Sequence, residues 1–403
     1  MRASRATAST ASTAMRPERI VIVGAGPAGL STARSYRACG GEAEVTLVGE
    51  EPLLPYRRPP LTKEFMRGEL DAAQLPIEPE EWFTANDVKL LRGARATEID
   101  PDAGVVTLDS YMRIPAETIV LAAGSQPSRP PIRGAEHPLV RTIRTLADSE
   151  SVIEAVAAGQ RPVVIGMGFI GCEVAASLAM RGARVTLIGE EHLPQLARLG
   201  EQAATRIAGW LQALGVELRG GSRVASIEFA RDVELSDGSR LEGAPVVLAT
   251  GVRPRGELAA ASGIETSDGA VLVDATMRAP SSHGNVLAVG DMACAYNACA
   301  GRHLRVEHWG DALAHGEVAG RTLARGDGCW NEVPGFWSTI GGRTLKYAAW
   351  GDGFEDSHMV SRPDGSFTVW YERDGATVGV LSHEADEDYE RGRELIAGGA
   401  PPP

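Results

Sequence analysis

No stretch of this 403-residue chain supplies the ~18 consecutive apolar residues that a membrane span needs, so nothing in it reads as a transmembrane helix. Basic residues are the minority charge, 40 Lys and Arg against 53 Asp and Glu, for a net charge of −13. A general nucleic-acid binder needs a basic surface to neutralise phosphates, so that class is excluded, although a local basic docking patch is not. Cysteine is scarce: Cys39, Cys172, Cys294, Cys299 and Cys329 make neither a metal spacing nor a disulfide framework. Cys294 and Cys299 form a C-x4-C that reads as two separate thiols rather than a redox dithiol. This usage points to a reducing, cytoplasmic compartment. Acids are missing altogether from residues 1–17, which read as a disordered tail with the composition of a transit peptide and no secretory apolar core. Met15, close before the first strand, is an alternative start. Aromatics are only 5% of the chain, so the crowding of Trp330, Phe336, Trp337, Tyr347, Trp350 and Trp370 sets the last part of the chain apart.

Glycine, by contrast, is abundant, and it is placed twice in the same design. Ile20-Val21-Ile22-Val23-Gly24-Ala25-Gly26-Pro27-Ala28-Gly29 is an apolar strand running into GxGxxG, and Val163-Val164-Ile165-Gly166-Met167-Gly168-Phe169-Ile170-Gly171 repeats it. Each is followed by a matching strand, Val45-Thr46-Leu47-Val48-Gly49-Glu50 and Val185-Thr186-Leu187-Ile188-Gly189-Glu190. In such a turn the first glycine makes the bend, the second admits a pyrophosphate to the backbone, and the third lets helix and strand pack closely. The phosphate then meets free N–H groups at the positive end of a helix dipole. An acid ending the second strand accepts hydrogen bonds from a ribose. Glu50 and Glu190 stand 26 and 24 residues after Gly24 and Gly166, a little later than the usual spacing of about 20. One such turn is equally a ligand-free bend; two with their strands and acids predict two dinucleotide sites, and electron transfer between them.

At about 100–200 residues per domain the length allows two to four domains. The first unit begins at Arg19 and has a buried strand ending in Leu121-Ala122-Ala123-Gly124. A proline-rich connector (Pro127 to Pro131) and a predicted helix over 149–158 follow. The second unit opens at Pro162 and closes in the parallel sequence Leu248-Ala249-Thr250-Gly251. Apolar spacing at Ile207, Leu211 and Leu214 predicts a helix over 201–214, with Gly215 as its cap. The chain then returns to the first unit, where Val286-Leu287-Ala288-Val289-Gly290-Asp291 is another buried strand. Alternating segments at 366–371 and 377–381 predict antiparallel strands, and 385–397 a solvated helix. The expected fold is α/β: two Rossmann-like units, one inserted in the other, and a smaller α+β domain.

Several segments carry a closer likeness. Leu54-Pro55-Tyr56-Arg57-Arg58-Pro59-Pro60-Leu61-Thr62-Lys63, Ala122-Ala123-Gly124, Gly166 to Glu173 (GxGxIGxE), Val289-Gly290-Asp291 and Phe336-Trp337-Ser338 follow one another in a family order. On these residues the chain resembles the FAD-dependent pyridine-nucleotide reductases of the ferredoxin-reductase type, which include putidaredoxin, rubredoxin and dioxygenase ferredoxin reductases and apoptosis-inducing factor. The likeness runs from about residue 19 to the C-terminus. It implies an FAD domain at 18–125 and 252–328, an NAD domain at 126–251 and a C-terminal reductase or dimerisation-type domain at 329–403. It implies FAD held by Gly24, Gly26, Ala28, Gly29, Glu50, Arg58, Lys63, Ala96, Ala123, Gly124, Asp291 and Trp309. Glu50 would hold the adenosine ribose, Arg58 and Lys63 would lie along the flavin, Asp291 would bond the ribitol and Trp309 would border the ring. It implies a nicotinamide coenzyme on Gly166, Gly168, Ile170, Gly171, Glu190 and Gly251. Lys63 paired with Glu173 would be the catalytic pair, the ammonium near the flavin and the carboxylate orienting it.

The implied activity takes a hydride from NADH and passes electrons singly to a carrier, a [2Fe-2S] ferredoxin serving a cytochrome P450 or oxygenase. Two alternatives stay open: an NADH-sensing flavoprotein whose shape change is its function, and a reductase of quinones or small acceptors. Thiol-relay branches of this flavoprotein class need a cysteine on the helix after the ribose acid, and 52–66 has none. NADH is expected over NADPH, because Glu190 repels a 2′-phosphate and no Arg follows within its turn; the family's acid stands one place earlier, where this chain has Gly189. Arg302, Arg305, Arg343 and Lys346 are either a docking patch or scattered surface charges. Trp330 and Trp337 read as core tryptophans and His308 as a structural histidine. The expected assembly is a monomer or homodimer.

Overall fold

The computed structural model describes residues 17–280 and 285–403. The tail expected at 1–17 thus lies, but for its last residue, outside the described residues. The chain begins with β1 (Arg19–Val23), α1 (Pro27–Ala38), β2 (Glu44–Gly49), β3 (Val88–Arg92) and β4 (Thr118–Leu121). Strands β1, β2 and β4 are buried almost throughout because helices and loops cover both faces of a parallel sheet, while β3, at its edge, is buried only at Val88. Next come β5 (Arg141–Thr142), α2 (Leu146–Ala155), β6 (Val163–Ile165), α3 (Phe169–Met180), β7 (Thr186–Ile188), α4 (Leu196–Ala213), β8 (Glu217–Arg219) and β9 (Val246–Leu248). The third stretch holds β10 (Val286–Ala288), α5 (Trp309–Arg325), β11 (Gly335–Ile340), β12 (Arg343–Ala349), β13 (Asp356–Ser361), β14 (Phe367–Arg373), β15 (Ala376–His383) and α6 (Asp386–Gly398).

The first sheet has the order β10-β4-β1-β2-β3 and the second β8-β7-β6-β9-β5, each wholly parallel. Read outward from the strand that enters the glycine turn, the two orders match. Counted from the strand that enters its glycine turn, each unit also carries a three-stranded antiparallel meander between its third and fourth strands, at 96–115 and at 224–241, bulged near its start. The chain leaves the first sheet after β4 and rejoins it at β10. The two crossings lie side by side, Ser125–Pro127 pairing antiparallel with Val252–Pro254. The C-terminal sheet is antiparallel, in the order β11-β12-β15-β14-β13.

Helix α5 packs closely on α1 because Gly316 and Gly320, one turn apart, present no side chain. A Cβ on Gly316 would lie 2.4 Å from the Ala28 carbonyl oxygen, and one on Gly320 would lie 2.6 Å from the Tyr36 amide nitrogen. Ser31 and Ser35 seal the contact by donating to the Leu313 and Glu317 carbonyls at 2.7 and 2.8 Å. This fixes the start of α5 beside the first glycine turn.

Two helices differ from their expected limits. Thr145 and Asp148 form a capping box, so α2 starts at Leu146 rather than 149 and is over by Ala155. Helix α4 gains a turn at 196–199, set off by Gly200 at φ 75°, ψ 170°, ahead of the expected segment. Gly215 follows that helix at φ 81°.

Candidate active site

The two glycine turns are the same object in space. Gly24 has φ +120° and a Cβ there would fall 2.1 Å from the Ala122 oxygen; Gly166 has φ +112° and its Cβ would fall 2.3 Å from the Ala249 oxygen. Gly29 and Gly171 would drive a Cβ to 2.0 and 1.9 Å from the carbonyl oxygens of Gly24 and Gly166. These four glycines are demanded by the fold itself. The middle ones are not: nothing lies within 4 Å of a Cβ on Gly26, and on Gly168 the nearest atom is Gln195 Nε2 at 3.8 Å. Open space over the middle glycine is what an approaching pyrophosphate requires. Helices α1 and α3 start at Gly26 and Gly168 with no side-chain cap and no acid in the first turn, so their N–H groups are left for an anion.

A cavity of about 700 Å³ opens over the first turn, within the range of small-molecule and cofactor sites. Gly24, Gly26, Ala28, Glu50, Arg58, Ala96, Ala123, Gly124 and Asp291 all line it. Four guanidiniums face it, and each has a carboxylate close by: Arg58 with Glu51 at 2.8 Å, Arg144 with Asp291 at 2.7 Å, and Arg255 and Arg95 with Glu50 at 2.8 and 3.9 Å. The charges nearly cancel, so the backbone and helix end must carry the binding of phosphate. A dinucleotide such as FAD fits these residues. Gly29, Lys63 and Trp309 do not line the cavity. Gly29 supports the turn from behind, Trp309 opens α5 one turn before the lining residue Ala312, and Lys63 Nζ is engaged by Glu173 and the Pro59 carbonyl.

Four residues beyond those expected contribute to the site. Tyr56 donates to Glu51 Oε2 at 2.7 Å and accepts from the Leu146 amide at 3.0 Å; burial pushes its phenol well above the ordinary range. Asp291 Oδ2 receives both Ser125 Oγ and Arg144 Nη2 at 2.7 Å. Tyr56 sits in the proline-rich motif and was in view, whereas Glu51, Ser125 and Arg144 reach the site only through the sheet and the inter-unit crossing.

Lys63 Nζ lies 2.9 Å from Glu173 Oε2 and 3.0 Å from the Pro59 carbonyl, with side chains only 7% and 3% exposed. Glu173 and Ser177 on α3 and Arg181 at its C-cap follow one another every four residues, and all three grip the 62–66 segment. Thr62 Oγ1 donates to Glu173 at 2.5 Å, Ser177 Oγ donates to the Thr62 carbonyl at 2.7 Å, and Arg181 Nη1 donates to the Met66 carbonyl at 3.0 Å. The segment between the two cradles is thereby held to the second unit.

At the second cradle, Ile170 is 46% exposed on the first turn of α3, and Gly251, at φ +91°, has open space around it. Glu190 is exposed, and the displaced acid has a geometric cause. A Cβ on Gly189 would come 2.7 Å from Met167 Cγ, as one on Gly49 would come 2.8 Å from Ala25 Cβ. The residue after the first glycine fills that space in both units, leaving the acids at 50 and 190 in matching places. No arginine follows Glu190 within its turn, as read, but one reaches it from elsewhere in the chain: Arg223 Nε lies 3.5 Å from Glu190 Oε1. Arg223 arrives from beyond β8, because Ser222 N donates to the Gly189 carbonyl at 2.9 Å and Gly221 N to the Glu191 carbonyl at 3.0 Å.

One further expectation changes. Trp330 is fully buried as read, but Trp337 is 43% exposed, since alternation along β11 turns its neighbour Ser338 inward. The four basic residues make no free patch: Arg302 pairs with Asp352, Arg305 with Glu307, Lys346 with Asp386, and Arg343 stacks over Trp210. All five cysteines are free thiols. No helix among the described residues is long and apolar enough to cross a membrane, and no cluster of metal-ligating side chains occurs among them.

The comparisons with known proteins agree in kind. A family model described as pyridine nucleotide-disulphide oxidoreductase matches residues 18–316. The chain is 31% identical to rhodocoxin reductase of Rhodococcus erythropolis over 94% of this chain and 89% of that protein. It superposes on the ferredoxin reductase for the CYP199A2 system from Rhodopseudomonas palustris with a TM-score of 0.90 at 28% identity, covering 96% of each chain. With putidaredoxin reductase in its covalent complex with putidaredoxin the TM-score is 0.89 at 28% identity, over 95% and 94%.

Proposed function

This chain belongs to the pyridine nucleotide-disulphide oxidoreductase family, and from that premise we propose that it draws electrons from NADH and delivers them to a [2Fe-2S] ferredoxin serving a cytochrome P450 or an oxygenase. It is an NAD(P)H-dependent oxidoreductase of the ferredoxin-reductase type. The observation that carries the finer reading is the junction itself: two equivalent cradles, a buried Lys63–Glu173 pair between them, and no cysteine in 52–66. Relatives with this architecture are named as reductases of ferredoxin, rubredoxin, rhodocoxin and putidaredoxin.

When bound, FAD supplies the conversion of a two-electron hydride donor into a one-electron source. The residues of the chain hold and orient. Gly26 and the start of α1 would receive the pyrophosphate, Glu50 the adenosine ribose, Asp291 the ribitol hydroxyls, and Arg58 and Trp309 the ring system. Ala28, Ala96, Ala123 and Gly124 shape the cavity wall. Gly168, Ile170 and Gly251 would border the nicotinamide coenzyme, with Glu190 on its ribose. Lys63 would set a positive charge beside the flavin, and Glu173 would fix its direction. Trp337, exposed on β11, would meet the carrier. Five free thiols suit a reducing, cytoplasmic setting, and a monomer or homodimer suffices because both cradles and their junction come from one chain.

Stopped-flow reduction of the FAD-loaded protein by NADH and by NADPH, followed by reoxidation with a panel of [2Fe-2S] ferredoxins, tests this. The reading expects fast reduction by NADH and cytochrome c reduction that is slow alone and fast once a ferredoxin is added. Fast reduction with no response to any ferredoxin, and rapid turnover with a quinone, would replace it with the small-acceptor reading.

A further inference from the structure

A glutamate carboxylate offers about four lone-pair positions and turns about a last torsion with only a broad preference. Its orientation in a protein is therefore set by its donors. At Glu173 these are unevenly shared. Oε2 receives Lys63 Nζ at 2.9 Å and Thr62 Oγ1 at 2.5 Å, while Oε1 receives Ser338 Oγ alone, at 2.7 Å. All four residues are buried. Thr62 and Lys63 come from the first unit, Glu173 from the second, and Ser338 from the C-terminal sheet.

Ser338 is well placed to hold that oxygen. Residues two apart on a strand and four apart on a helix repeat at nearly the same distance, roughly 6–7 Å. Strand β11 uses this match against α3: Phe336 packs edge-on to Phe169 with ring centroids 4.8 Å apart, and Ser338 meets Glu173. The aromatic contact seats the strand, and the hydroxyl sets the carboxylate. We propose that Ser338 is a positioning residue for the flavin–nicotinamide junction, fixing the plane of the Glu173 carboxylate and through it the direction of the Lys63 ammonium. This rests on the roles given above to Lys63 and Glu173. It makes the third domain part of the apparatus for the first half-reaction.

The test compares S338A, S338T, E173Q and the S338A/E173Q double variant, each loaded with FAD. The readouts are the rate of flavin bleaching by NADH in stopped flow, the coenzyme Kd, and the flavin midpoint potential by spectroelectrochemical titration. Because one hydrogen bond to a charged group is lost, S338A is expected to be reduced about tenfold more slowly. Its coenzyme Kd should stay within about twofold, and its midpoint potential should shift measurably. S338T keeps the hydroxyl and restores rate and potential. In the E173Q background S338A adds little, because the serine acts through that carboxylate. A wild-type rate in S338A, equal loss in S338A and S338T, or multiplying effects in the double variant would each overturn the proposal. So would S338A failing to load FAD, which would make the serine a folding residue. Failure of the wild-type protein to be reduced by NADH or NADPH would instead strike the functional reading itself.

Discussion

Lys63 Nζ donates to Glu173 Oε2 at 2.9 Å, and with 7% and 3% of their side chains exposed the two charges have little water to fall back on. Removing one leaves the other buried and uncompensated, which costs about 3–5 kcal/mol. Lys63→Met and Glu173→Leu are each expected to lower unfolding stability by about that amount. The double variant should lose far less than the sum, since a buried pair replaced by apolar groups is often close to neutral. Urea unfolding of the four proteins checks this. Reduction by NADH should stay slow in the double variant, separating the contribution of the pair to stability from its contribution to chemistry.

The glycines of each turn divide into those the backbone needs and those a ligand needs. Gly24→Ala places a Cβ 2.1 Å from the Ala122 oxygen at φ +120°, so it should destabilise the protein whether or not FAD is present. Gly26→Val meets open space within the protein and should leave the FAD-free melting temperature nearly unchanged. Its side chain would occupy the room a pyrophosphate needs, weakening FAD binding by about a hundredfold or more, or ~2.7 kcal/mol. Thermal melts and FAD titration of the two variants give the contrast.

The parts legible in the sequence were those with a local period or a local turn. Both glycine turns and the strands around them fall where the apolar runs put them, because a parallel strand is buried on both faces. The segment Pro55 to Lys63 drew attention to one side of the junction, and GxGxIGxE to the other. What could not be read came through tertiary neighbours. Arg223 reaches Glu190 because two loops at the C-terminal edge of the sheet hydrogen-bond to each other. Arg144 and Ser125 reach Asp291 across more than 140 residues. Trp337 was misread because a tryptophan in an aromatic segment suggests core, whereas strand alternation assigned the inward place to Ser338. The basic residues were counted without the carboxylates that the fold brings to three of them.

Arg223 alters what Glu190 alone implies about coenzyme choice. The carboxylate favours a free 2′-hydroxyl, while a guanidinium beside it suits a 2′-phosphate. Arg223→Gln should lower kcat/KM for NADPH by about tenfold, within the range for a lost hydrogen bond to a charged group, and leave NADH nearly unchanged. Glu190→Gln should shift preference the other way, toward NADPH. Both residues are about three-quarters exposed, 75% and 76%, so the NADPH effect should shrink as salt rises. Steady-state kinetics with both coenzymes at low and high ionic strength reads this directly.

His315 is fully buried on α5, edge-on to Trp330 with ring centroids 4.4 Å apart, and neither ring nitrogen has a hydrogen-bond partner among the described residues. Burial disfavours the charged ring and pulls its pKa down to about 4 from an ordinary 6.5, against the opposing pull of Asp311 and Asp291. Between those values the unfolded chain binds a proton that the folded protein does not, so stability falls as pH falls. The contribution is intact above about pH 6.5 and lost progressively down to about pH 4, a difference of about 3 kcal/mol for this group. Carboxylates also titrate in this window, so the informative quantity is the difference between wild type and His315→Leu. That difference should move in favour of the variant by about 3 kcal/mol between pH 7 and pH 4, as read by urea unfolding at each pH. A difference constant with pH would mean that the ring gains a proton in the folded protein as easily as in the unfolded one.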